Sequence, residues 1–411
     1  MRKFLVSIFS AALCSLGSSP LYSAEPNQYL TAPGYDFSNL DSELRRGIDQ
    51  DIVPGVSLLL LHEGKPVFAA AYGYSNIAEE TPFLLSTVAN IFSSSKWVNG
   101  VALAAGAEDG LYDLSDTAGQ FIPTYANMSV TGSTELTSPT LSQLFSHSSG
   151  MVPDSPPTYD ESITLQQAVN QLAPIVNPLQ VAPGVRANYG SNSMAVAGAV
   201  IERQTRKPYE TFLGERLLIP LEMYNTSFNP NAEEVARMGP VYIKLLGRWT
   251  PFIAPPDPTT QNLNPVLAAG LYSTLEDYAR FLLMFRNQGS YFGEQILSPE
   301  SIETVRTNQI GDIPFVGIVQ PGAGTRYGLG CFLEQVDEAG VASFVSSAGF
   351  AGTYPWYDEV NDLAGVFFIQ VALSAGTDSF TEDIVEAATL AVNGGDLRSL
   401  PELNVGAQIE K

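Results

Sequence analysis

Runs of apolar positions place strands toward both ends of the chain and helices between them. Residues 56–62, a Glu63-Gly64 turn and residues 66–74 form two apolar runs about a turn dipeptide, which predicts a β-hairpin. Residues 344–345 and 352–357 lead through the polar stretch 358–362 into 365–371, a second hairpin near the other end. Apolar residues recur at helical spacing over 40–50 and 380–392, outside those strands. The same spacing recurs over 141–146, 165–171, 193–206 and 275–287. The apolar run 98–107 reads as a helix that starts near Ser93. Strands from both ends with helices between them predict an α/β (α+β) fold. One antiparallel sheet is completed by both termini and flanked by helices, with a mainly helical lobe inserted. The sheet part is expected over about 36–105 and 265–395, the lobe over about 106–264, all within a domain 25–411. Prolines gather at 152–160 and 252–265, and the second stretch is long enough to border a substrate site.

The first residues change the picture of where the protein works. Arg2 and Lys3 precede an apolar stretch over 4–17, and small residues lead to Ala24. This is the pattern of a signal peptide, 1–24, removed on export to the periplasm or the exterior. The stretch is too short to span a bilayer comfortably, so no stable membrane insertion is expected. Cys14 follows Leu13, which is larger than lipid-attachment sites accept. Removal of the leader would leave Cys331 without a disulfide partner, so stability must come from an ordinary core.

The chain carries 20 basic and 43 acidic residues, a formal charge of −23. The acidic surplus is spread along the sequence, which argues for a solvated surface and against nucleic acid or anionic membranes as partners. The two histidines are His62, expected at an exposed hairpin end, and His147; no Cys or His cluster has metal spacing. No metal and no cofactor is expected. With no Gly-x-Ser-x-Gly elbow, a Ser-His-Asp hydrolase is disfavoured as well.

The candidate chemistry lies at Ser93 and Lys96. A helix beginning near Ser93 sets the two on one face, because residues three apart are neighbours there. A serine hydroxyl is a weak nucleophile until a base takes its proton, and a lysine held out of water can be that base. Free N–H groups at the helix start would favour a developing oxyanion. The plainer reading of the same pair is a helix start followed by a solvated lysine.

Further segments follow in order. They are Glu108-Asp109-Gly110-Leu111-Tyr112-Asp113-Leu114, then Leu144-Phe145-Ser146-His147-Ser148-Ser149-Gly150-Met151 and Pro183-Gly184-Val185-Arg186-Ala187-Asn188-Tyr189. Beyond these come a stretch from Ala268 to Phe281, then Tyr327-Gly328-Leu329-Gly330, and a stretch from Gly349 to Asp358. With Ser93-x-x-Lys96, this series resembles the serine β-lactamase and penicillin-binding-protein superfamily, specifically the class C β-lactamase-like serine hydrolases and esterases. Two departures stand out. The second motif, commonly Tyr-x-Asn, reads Tyr189-Gly190-Ser191, and serine can still donate and accept a hydrogen bond. The third normally begins with Lys, His or Trp two residues before a glycine, and here reads Ser347-Ala348-Gly349.

The resemblance implies that Ser93 is the nucleophile and that Lys96 and Tyr189 relay protons. It implies an oxyanion hole from the backbone N–H groups of Ser93 and Phe350, with Ser191, Ser347 and Gly349 at the substrate. His147 lies in a recognised segment and is expected to be structural. The implied substrate is a small acyl compound held as an acyl-enzyme on Ser93. Loss of the third-motif cation favours an uncharged ester over the carboxylate-bearing β-lactams and D-alanyl peptides. A β-lactamase or D-alanyl-D-alanine carboxypeptidase is the enzymatic alternative, and a catalytically inactive binding protein the alternative of another class.

Overall fold

In chain order the main elements are β1 (Pro26–Thr31), α1 (Ser38–Asp49), β2 (Gly55–His62), β3 (Lys65–Asn76) and α2 (Ser95–Glu108). Then come α3 (Leu165–Val176), α4 (Asn192–Thr205), β4 (Val241–Leu245), β5 (Arg248–Ile253) and α5 (Leu275–Arg286). The chain closes with β6 (Arg326–Tyr327), β7 (Phe332–Val336), β8 (Ala342–Ser346), β9 (Tyr354–Asp358), β10 (Leu363–Phe368) and α6 (Ala375–Val392). The computed structural model describes residues 26–317, 324–372 and 375–394, and the leader expected at 1–24 lies outside them.

The sheet runs β1-β3-β2-β10-β9-β8-β7-β6, antiparallel throughout, so early and late strands meet where β2 pairs with β10. The β2–β3 turn has Glu63 at φ 50° and Gly64 at φ 72°. A two-residue turn with both φ positive matches the strands' right-handed twist, which explains the direct pairing of His62 with Lys65 across it.

Both faces of the sheet are covered. Along β10, Leu363 and Phe367 join the core under α1 and α6, while Ala364, Val366 and Phe368 join the core shared with α2 and α5. The period of two is what divides one strand between two cores. Gly365 belongs to this pattern for a steric reason. A Cβ there would lie 2.2 Å from Trp356 Cη2, so only glycine lets that indole lie against the neighbouring strand.

Helix α2 is buried from Ser95 through Gly106, the state expected of a helix apolar all round. It is fastened to α5 by Trp97, edge-on to Phe281 (5.5 Å) and Phe285 (5.0 Å). Elsewhere the sequence boundaries shift slightly. The helix predicted to end at 171 runs to Val176 and carries Pro174 near its end. His62 is not simply exposed: it is half-buried, with Tyr35 Oη 2.8 Å from its Nδ1. The β4–β5 hairpin has no counterpart in the periodicity, because β5 contains Pro251 and is exposed or half-exposed at every position. Nothing alternates there for a pattern to detect.

Candidate active site

The turn before α2 places Ser93, the nucleophile that the resemblance implies. Asn90 Oδ1 accepts from the Phe92 N–H (2.8 Å), the Ile91 N–H donates to the Leu271 carbonyl (2.9 Å), and the Ser94 N–H donates to the Ile91 carbonyl (3.0 Å). Phe92 is held at φ 43°, a left-handed conformation uncommon for a bulky residue and typical of strained functional turns. Ser93 therefore sits in a 3₁₀ turn, Phe92–Ser94, and not in the regular helix that its spacing suggested.

Lys96 remains on the face of Ser93. Its Nζ donates to Ser93 Oγ (2.9 Å) and to the Ala268 carbonyl (2.8 Å), and lies 4.5 Å from the centroid of the Tyr189 ring. The side chain is buried, which removes the reading of a solvated lysine. Among the described residues it has no carboxylate partner. Burying an ammonium without a counter-ion is costly, so its few oxygen and ring contacts carry the compensation. The neighbouring Leu267 carbonyl is held by Asn99, a residue that sequence reasoning missed. Asn99 Nδ2 donates to the Ser95 and Leu267 carbonyls (2.8 and 2.7 Å), while its Oδ1 accepts from Tyr209 Oη (2.7 Å).

The other wall is the turn after Ser347. The Gly349 N–H donates to the Thr353 carbonyl (2.7 Å), and the Gly352 N–H to the Gly349 carbonyl (2.9 Å). A Cβ on Gly349 would stand 2.4 Å from the Ile91 carbonyl oxygen, so glycine is what brings this turn against the turn that carries Ser93. Two serines stitch them together: Ser94 Oγ donates to the Ser347 carbonyl (2.6 Å) and Ser347 Oγ to the Ser93 carbonyl (3.2 Å). Ser347 is thus buried and bonded to main chain, and it supplies no charge. The amides of Ser93 and Phe350 donate to no other group among the described residues.

Tyr189 enters from the helical lobe. Its N–H donates to the Val316 carbonyl (2.9 Å), and its ring is enclosed by His147 at 4.5 Å, Phe332 at 6.0 Å and Phe315 at 6.2 Å. His147 is buried; its Nδ1 accepts from the Gly190 N–H (3.4 Å) and its Nε2 lies 3.2 Å from Tyr327 Oη. Burial, then the nearby Lys96 charge, holds the imidazole well below its ordinary range. It is a neutral prop beneath Tyr189, as a structural histidine should be.

Ser191 is not joined to Lys96 or Ser93 by a hydrogen bond, nor does its side chain cap α4. Instead Tyr159 Oη donates to Asp154 Oδ1 and accepts from Ser191 Oγ (2.8 Å). Burial first, and the bond to Asp154 next, raise the Tyr159 phenol well above its ordinary value and keep it protonated. The loop carrying Tyr159 is pinned by Asn192, whose Nδ2 donates to the Val152 carbonyl and Ser155 Oγ (both 2.9 Å) and whose Oδ1 accepts from Thr158 Oγ1 (2.6 Å). The proline cluster at 152–160 was the only sequence signal for this loop. Of the arginines near these segments, Arg326 is held by Asp312 (2.7 Å) and Arg186 reaches Gln180 (3.2 Å).

A sequence profile of the Beta-lactamase family matches residues 40–388. Among curated proteins, Protein Rv1367c of Mycobacterium tuberculosis (strain H37Rv) is 26% identical over 300 residues, covering 67% of this chain and 73% of the relative. Among solved structures, a candidate beta-lactamase from Bacteroides dorei DSM 17855 is 28% identical with a TM-score of 0.68, covering 87% of this chain and 99% of its own. EstCE1, described as a hydrolase with promiscuous acyltransferase activity, superposes with a TM-score of 0.73 at 20% identity, over 86% of this chain and 99% of its own. That last likeness speaks for the fold alone. With the profile spanning nearly all of the described residues, the chain belongs to the Beta-lactamase family.

Proposed function

We propose that this protein is an exported serine hydrolase that forms an acyl-enzyme at Ser93 and hydrolyses uncharged carboxylic esters or related small acyl compounds. The observation that carries the reading is the contact of 2.9 Å between buried Lys96 Nζ and Ser93 Oγ, with no carboxylate among the described residues to occupy the lysine. Lys96 and Tyr189 relay the Ser93 proton away as Oγ attacks the carbonyl carbon. The oxyanion accepts from the unused N–H groups of Ser93 and Phe350. Tyr189, whose ring faces Lys96, passes the proton to the departing alkoxide. Water then attacks the acyl-enzyme by the same relay, releasing the acid and restoring Ser93.

Two features support an ester over a β-lactam. The Ser347 hydroxyl is turned onto the Ser93 backbone, so the third motif offers no cation to a substrate carboxylate. A formal charge of −23 further disfavours the approach of anions. Export rests on the leader-like start, Arg2 and Lys3 before an apolar stretch. The test compares p-nitrophenyl butyrate and nitrocefin on wild type and Ser93→Ala. Ester turnover that disappears in Ser93→Ala, with nitrocefin at least tenfold slower, is the expected result. Equal rates on the two substrates would replace the esterase reading with a β-lactamase, and retention of activity in Ser93→Ala would remove the acyl-enzyme.

A further inference from the structure

We propose that Phe92, Phe350 and Phe252 form a subsite for an apolar acyl chain, so that the ester hydrolysed carries a medium-length aliphatic or aromatic acyl group. This deepens the hydrolase reading above and rests on Ser93 being the residue that accepts the acyl group. The three rings form a row. Phe92 meets Phe350 edge-on at 5.5 Å, and Phe350 meets Phe252 at 6.5 Å with planes 49° apart. Phe92 adjoins Ser93 in sequence, and Phe350 bears the second oxyanion amide, so the row begins where the substrate carbonyl would sit.

Phe350 is 43% and Phe252 54% exposed. Two touching phenyl rings left in water, on a chain so rich in acidic groups, mark a surface that an apolar ligand covers. The placement of Phe252 is specific. The β4–β5 register shifts between Pro251 and Ile253, so Phe252 is the extra residue of a bulge, the device by which a strand re-aims one side chain. Ile253 beside it is also 36% exposed.

The row lies on the acyl side of the scissile bond. The leaving oxygen must reach the Tyr189 hydroxyl to be protonated. Among the described residues, the rings in contact with Tyr189 are His147, Phe315, Tyr327 and Phe332, and none of these touches Phe92, Phe350 or Phe252. With the alcohol directed to the first cluster, the acyl chain is left to the second.

The test measures kcat/KM for p-nitrophenyl octanoate and p-nitrophenyl acetate on wild type, Phe252→Ser and Phe252→Leu, with thermal unfolding as a check on folding. Half-burying the six added methylenes predicts an octanoate preference of about 50-fold in wild type. The ratio should drop about fivefold in Phe252→Ser and recover most of that in Phe252→Leu. A wild type that cleaves both esters without preference, or a ratio untouched by Phe252→Ser, overturns the subsite. Ethyl and hexyl acetate form a second arm, and a preference that follows the alcohol overturns the acyl assignment. If wild type cleaves no ester, the hydrolase reading fails and the row is read separately by the fluorescence of the neutral probe N-phenyl-1-naphthylamine. Enhancement by wild type that is lost in Phe252→Ser sustains an apolar site, and equal enhancement by both overturns it.

Discussion

Gly349→Ala isolates the proposed oxyanion hole. Glycine is required at 349 for space and not for conformation, since its φ lies outside the left-handed region and alanine could adopt it. The added Cβ would lie 2.4 Å from the Ile91 carbonyl oxygen. Ordinary carbon contacts begin about 1 Å further out, so one of the two turns must retreat by that amount. Ile91 is the less able to move, because its carbonyl accepts from the Ser94 N–H (3.0 Å) and its own N–H is bonded to the Leu271 carbonyl (2.9 Å). The turn at 349 retreats instead and takes the Phe350 amide with it. A donor displaced by that distance is close to a donor lost, worth about 3 kcal/mol of transition-state stabilisation, or a fall in kcat of roughly 10²-fold.

The assay is kcat on p-nitrophenyl butyrate, measured well below the unfolding midpoint of each variant. Gly365→Ala is the control. Its Cβ would meet Trp356 Cη2 at 2.2 Å, an equal overpacking within the sheet core. It should lose about 1–3 kcal/mol of stability, with kcat within about threefold of wild type. A folded Gly349→Ala that keeps kcat within about threefold would refute the placement of the oxyanion hole between Ser93 and Phe350. So would a Gly365→Ala whose kcat falls as far.

Other substitutions test the remaining parts. Lys96→Met should cut kcat/KM by about 10³-fold while leaving the unfolding midpoint unchanged or raised, because an apolar chain of similar length replaces a buried ammonium lacking a carboxylate; a loss under tenfold would remove Lys96 from the relay. Asn192→Ala abandons two buried polar partners and one half-buried carbonyl and should cost about 2–4 kcal/mol in denaturant titration, and a cost under about 0.5 kcal/mol would show that the 152–159 loop is held by other means. His147 gives a pH signature. Its imidazole is depressed by burial and by Lys96, so it stays neutral in the fold while the unfolded chain takes up a proton below about pH 6.5. Its contribution is complete above that value and is lost as the pH falls. His147→Asn should therefore cost about 2 kcal/mol less at about pH 5 than at about pH 7.5, and an equal cost at both would mean that the buried ring is charged.

What the sequence discloses here depends on how far apart the partners lie. Ser93 and Lys96 are three residues apart, so local helical geometry predicted their contact, and the 3₁₀ turn changes the backbone beneath Ser93 without breaking it. The hairpin at Glu63-Gly64 and the alternation in β10 are local in the same sense. Tyr189 and Gly349 were found by resemblance, because no pattern in one chain reports a ring lying 4.5 Å from an ammonium 93 positions earlier in sequence. Ser347 shows the limit most clearly. Its identity announces that the usual third-motif cation is missing, but whether the hydroxyl faces substrate or main chain depends on Ser93, 254 residues away. The fold resolves this toward main chain. In doing so it joins the segment that lacks the usual cation to the turn Ser93-Ser94-Ser95. Ser94 Oγ donates to the Ser347 carbonyl and Ser347 Oγ to the Ser93 carbonyl, and the second of these bonds is one that a long cationic side chain at 347 could not make in a site with 3% exposure. Three residues on, the ring of Phe350 is 43% exposed and lies against Phe92, so the turn that carries no cation presents an apolar surface instead.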